Sequence, residues 1–132
     1  MKNLTLTLFL AAFVTSAFAA SCDNAVVKGI VTGTGKNLPM RMDPITTLTK
    51  IECKDGTLKY TYELNDIDNI KLSKFDDAKK KLFFDVQRNI IKNFYCTTLS
   101  DIQDYTNSVI WSYRFNGNVF GEFEFRSSDC KK

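Results

Sequence analysis

The clearest pattern in the chain lies between residues 73 and 97, where Phe75, Ala78, Leu82, Val86, Ile90 and Phe94 recur every three or four positions. Phe83, Ile91 and Tyr95 widen that stripe, and the spacing predicts one long amphipathic helix. Ser73 is suited to cap its start, with Asp76 and Asp77 beside the positive end of the helix dipole. Elsewhere the period falls to two. Leu58, Tyr60, Tyr62 and Leu64 alternate with Thr57, Lys59, Thr61 and Glu63, so Ile45–Cys53 and Thr57–Leu64 read as a hairpin turning at Lys54-Asp55-Gly56. Val109, Trp111, Tyr113 and Phe115 share one face of a third strand, and Val119, Gly121, Phe123 and Phe125 one face of a fourth. A two-residue turn between these last two would set Trp111 against Glu122. A three-residue Asn116-Gly117-Asn118 loop instead pairs Trp111 with Phe123, Tyr113 with Gly121 and Ser112 with Glu122, and is the expected connection.

Weaker signals fill the gaps. Asp23–Val31 suits a short helix despite its glycines, Ser100–Tyr105 a helical turn, and Asn37–Pro44 an extended connection that its prolines keep from being helical. The order of elements predicts an α+β fold: a four-stranded antiparallel sheet of two hairpins, with the long helix packed on one face and short helices beside it. Tyr60, Tyr62, Trp111, Tyr113, Phe123 and Phe125 would form a stacking platform for a ligand if that face were open. They are read as core, because Phe75, Leu82, Val86 and Phe94 need a surface to cover.

Residues 1–19 carry the layout of a secretory signal: Lys2, an apolar run from Leu4 to Val14, and an Ala17-Phe18-Ala19 cleavage box. The run is about eleven residues, well short of the roughly twenty a membrane-spanning helix needs. Residues 20–132 are then expected to form a single disulfide-bonded domain, periplasmic or secreted. All four cysteines, Cys22, Cys53, Cys96 and Cys130, fall in that part, and an even count in an exported chain implies bridges. Three pairings are open. Cys96 at the helix end and Cys130 after the last strand could meet at one sheet edge, leaving Cys22 for Cys53. Ala19-Ala20-Ser21-Cys22 is also a loose lipid-attachment box, but a lipidated Cys22 would strand Cys53 as an odd thiol, so the soluble form is preferred.

The formal charge of +3, of which Lys2 contributes one, is too small for a nucleic-acid binder. Lys79-Lys80-Lys81 reads as a solvated helix face, the alternative being an acidic partner. The chain has no histidine, which removes the commonest general base and transition-metal ligand, and its cysteines lack metal-site spacing; neither metal nor cofactor is expected. Asp66/Asp68, Asp76/Asp77, Asp101/Asp104 and Glu122/Glu124 are the carboxylate pairs available to a hydrolase, but they fall on loops, a helix start and a solvent-facing strand. Gly33-Thr34-Gly35-Lys36 lacks the first glycine and the closing hydroxyl of a phosphate loop. Asp66-Ile67-Asp68 lacks the glycine and distal acid of a calcium loop.

Asn37-Leu38-Pro39-Met40 with Asp43, the cysteine after the central helix, the aromatic hairpin and the closing Asp129-Cys130 together resemble a group of small exported bacterial hypothetical proteins that share an N-L-P-M-x-x-D segment. The likeness spans nearly all of residues 20–132, and its motifs are structural rather than catalytic. It implies a fold and a compartment but no activity, and it supports joining Cys96 to Cys130. A looser similarity in size and export links the chain to secreted quorum-sensing-regulated virulence factors.

The resulting expectation is a non-enzymatic periplasmic or secreted interaction protein of inhibitor, immunity or assembly-accessory type, whose partner is another protein. The extended segment bearing Leu38, Met40, Arg41 and Met42 is the candidate contact surface, unless Leu38 and Met40 tuck under the sheet. The alternatives are a small carboxylate hydrolase of cell-wall or glycan substrate, and a small-ligand binder using the space between sheet and helix.

Overall fold

The computed structural model describes residues 20–131. The expected signal segment, residues 1–19, lies outside the described residues. Helix α1 (Ala25–Gly35) is capped by Asn24, whose side chain accepts from the Val26 N–H at 2.8 Å. Strands β1 (Met40–Asp43), β2 (Thr46–Lys54) and β3 (Thr57–Leu64) follow, then helix α2 (Asp77–Thr97), then β4 (Ser108–Phe115) and β5 (Asn118–Phe125). Short 3₁₀ turns at Leu72–Lys74, Ser100–Asp104 and Ser127–Cys130 link or end these elements.

The expected four-stranded antiparallel sheet is corrected in two respects. The sheet has five strands in the order β1-β2-β3-β4-β5, and its central pair, β3 with β4, is parallel. The parallel pair follows from the helix between them. Twenty-one residues of α2 run for about 31 Å at 1.5 Å per residue, enough to carry the chain back to the end at which β3 began. The fifth strand is the segment expected to be a bare connection. Residues 40–43 pair antiparallel with β2, Met40 opposite Leu48 and Arg41 opposite Thr47, between prolines that an edge strand tolerates.

Both hairpins turn through two residues at positive φ, Asp55-Gly56 (52° and 80°) and Asn116-Gly117 (52° and 80°). These are the angles that match the twist of paired strands. The three-residue loop expected at Asn116 is thus replaced by a tighter turn that pairs Phe115 with Asn118. A register shift then inserts Phe120 as an extra residue, so Trp111 still faces Phe123, Tyr113 faces Gly121 and Ser112 faces Glu122.

One sheet face is the core. Leu58, Tyr60, Tyr62, Val109, Trp111, Tyr113, Phe123 and Phe125 are all buried on it, together with Val27 of α1 and Tyr95 of α2. Parallel pairing stacks Tyr60 on Trp111 at 5.6 Å and Tyr62 on Tyr113 at 5.0 Å between ring centroids. The opposite face is a ladder of mixed charges, including Lys50–Glu52 at 2.7 Å, Arg114–Glu63 at 3.7 Å and Lys59–Glu122 at 4.0 Å.

Two disulfides close the ends. Cys22–Cys53 ties the lead into α1 to the end of β2, and Cys96–Cys130 ties the end of α2 to the last turn, with Cα separations of 5.7 and 5.5 Å. Such bridges fit a compartment outside the reducing cytoplasm. A Cys22 sulfur held in a disulfide has no valence left for a thioether-linked lipid. No helix among the described residues is long and apolar enough to cross a membrane.

Candidate functional site

Helix α2 starts later than expected. Asp76, not Ser73, is its N-cap, accepting from the Lys79 N–H at 2.8 Å, while Ser73 sits in the preceding 3₁₀ turn. The larger correction concerns which face turns inward. Phe84, Ile91 and Tyr95 pack on the core, and Phe84 is held at 6.0 Å from Tyr113 and 5.5 Å from Phe123. Its ring lies directly on Gly121, where an added Cβ would run into the Phe84 Cζ. Lys80 and Arg88 lie on the same side, their cationic groups 4.7 Å from the Phe120 ring centre and 5.0 Å from that of Phe125. This face, at steps of three, four and seven residues, seats the helix.

The row expected in the core is therefore left outside. Leu82 is 65% exposed, Val86 49%, Ile90 57% and Phe94 40%. They stand four residues apart and form one apolar ridge about 18 Å long. At its N-terminal end the ridge opens into a groove of about 620 Å³ lined by Ile45, Ile70, Phe75, Leu82, Phe83 and Val86. Lys71, Lys74 and Lys79 also line it, with Asn69 and Gln87, and no acidic residue among the described ones does. A continuous exposed apolar surface of this kind is the ordinary mark of an interaction site. Two overlapping rows at helical spacing, one through Leu82 and one through Phe84, were the signal in the sequence that the helix has an apolar side to spare.

The residues singled out for partner contact divide. Leu38 and Met40 are half-buried and pack against the core, whereas Arg41 and Met42 are exposed on the β1 edge. The Arg41 guanidinium donates to the Pro44 carbonyl at 3.0 Å. Members of three of the four carboxylate pairs take structural partners. Asp66 accepts from the Leu72 N–H at 2.7 Å, Asp76 caps α2, and Glu124 accepts from the Ser108 hydroxyl at 2.6 Å. Asp101 lies in an exposed 3₁₀ turn. Burial holds the phenols of Tyr60 and Tyr113 up at about 12 and raises that of Tyr62 further, so the tyrosine cluster is neutral at physiological pH and offers no base there.

No protein-family model matches the chain, and no curated protein matches it in sequence. Solved structures do match in shape. A protein of Pseudomonas aeruginosa described as secreted aligns with a TM-score of 0.62 at 7% identity, covering 79% of this chain and 88% of its own. The type II secretion system pilotin AspS of Vibrio cholerae aligns at 0.53 and 15% identity over 76% of this chain and 84% of its own. The type II secretion pilotin EpsS of Vibrio vulnificus aligns at 0.54 and 12% identity over 77% and 86%. At such identities the likeness is one of fold.

Proposed function

We propose that the protein is an exported, non-enzymatic accessory protein that binds another protein through the outward ridge of α2. The observation carrying this reading is the exposure of Leu82, Val86, Ile90 and Phe94 along one helix, a surface that costs solvation free energy unless something covers it. The two disulfides support a site of action outside the reducing cytoplasm. The likeness in fold to two type II secretion pilotins favours the assembly-accessory type over inhibitor or immunity types. The carboxylates that serve as caps and hydroxyl acceptors weigh against the hydrolase alternative. The β1 edge with Arg41 and Met42 is a secondary contact surface, because Leu38 and Met40 are already engaged with the core.

Site-specific photo-crosslinking in the producing cell tests this. A photoreactive residue at Ile90 is expected to yield one dominant protein adduct, and the same group at Thr61, on the charged face of the sheet, none. Absence of any adduct at Ile90 in folded, oxidised protein overturns the reading.

A further inference from the structure

The groove at the start of α2 carries information about the partner's chemistry beyond its being a protein. Its apolar floor is bordered by Lys71, Lys74 and Lys79, all exposed, and no carboxylate among the described residues lines it. None of the three takes part in an ion pair among the described residues; the helix ion pair on α2 joins Lys81 to Asp85 instead. Three lysines without an ion-pair partner, one of them, Lys79, set 5.9 Å from the Phe75 ring centre, repel one another around an apolar trough and attract an anionic guest. The trough continues into the ridge of Leu82, Val86, Ile90 and Phe94, whose four-residue steps form the row into which a second helix packs.

From this juxtaposition we propose that the ridge and groove receive an acidic amphipathic helix of the partner, its apolar side on Leu82–Phe94 and its carboxylates among Lys71, Lys74 and Lys79. This rests on the reading of α2 as the protein-binding face. A second copy of this chain is a poorer occupant, because its own ridge offers the lysines no counter-charge: an antiparallel pairing would set them against residues 88–97, which include no acid, and a parallel one would set lysine against lysine. A bilayer is poorer too, because a flat surface cannot fill a concave site whose floor includes the half-buried Ile45 and Ile70.

The test uses the oxidised protein and a fluorescent designed peptide of about 18 residues, long enough to be partly helical, with leucines at four-residue steps and glutamates flanking them. A matched peptide carries lysines in place of the glutamates, and vesicles of anionic phospholipid form a third arm. The glutamate peptide is expected to bind, to weaken with added salt, and to bind about tenfold more weakly to Lys71→Glu/Lys74→Glu/Lys79→Glu. That variant is expected to gain affinity for the lysine peptide, a swap that a merely structural lysine would not produce. Equal binding of both peptides, binding of neither, binding of vesicles in preference to the glutamate peptide, or concentration-dependent dimerisation that excludes it would each overturn the proposal. A protein adduct at Ile90 whose crosslinked segment is basic or neutral would overturn this inference and leave the proposed function standing.

Discussion

Gly121 is the residue on which the placement of α2 turns. It is chosen for the absence of a side chain rather than for an unusual φ, because the Phe84 ring fills the space a Cβ would need. That ring cannot swing clear, being packed against Tyr113, Phe120 and Phe123 at centroid distances of 6.0, 5.4 and 5.5 Å. Gly121→Ala is therefore expected to lower stability by about 1–3 kcal/mol, the usual range for forcing extra volume into a filled site. Urea unfolding with the disulfides intact measures it, and an unchanged midpoint would mean that Phe84 does not rest there.

The two sides of α2 make the contrast at the scale of the element. Phe84→Ala empties a ring from the core contact and is expected to cost about 3–5 kcal/mol. Ile90→Ser, on the outer ridge, is expected to change stability by no more than about 0.5 kcal/mol in the isolated protein while removing the proposed partner contact. Thermal unfolding of both variants separates the faces; comparable losses would mean that Ile90 is buried after all. Periodicity located this helix to within a few residues but misjudged its roll. Apolar residues stand on two sides of it, and only the non-local fit of Phe84 to Gly121 decides which side goes in. The strands were more legible. Alternation in Leu58–Leu64 and Val109–Phe115 marked the core face, and parity alone yielded the pairing of Trp111 with Phe123. The parallel order of β3 and β4 was not legible, because it depends on where the helix returns the chain and leaves no mark in either strand. The edge strand at Met40–Asp43 was hidden by its flanking prolines, which local rules read as a connection.

At the scale of the molecule, the tyrosines packed across β3 and β4 couple folding to alkaline pH. Tyr60 and Tyr113 titrate near 12 in the folded state, above the ordinary phenol value of 10, because burial penalises the phenolate. Their neutral forms are kept by folding, so this contribution is whole below about pH 10, where the unfolded phenols begin to ionise, and is lost as pH rises toward 12. Stability is therefore expected to fall steeply between pH 10 and 12, by on the order of 2 kcal/mol for each of these phenols, with Tyr62 adding in the same direction. Denaturant midpoints across that window, compared with those of Tyr60→Phe, test it. The variant should lose less stability on alkalinisation, and an identical pH profile would show that Tyr60 is already solvated.

The connectivity of the bridges bears on how the chain matures. First joins second and third joins fourth, so each sulfur finds its mate among the next residues to arrive. An oxidant acting on thiols in order of emergence from a translocation channel would make the native bonds directly, with no wrong link to undo. Exported in that way, the chain would call for a simple thiol oxidase and make no demand on a bond-shuffling enzyme.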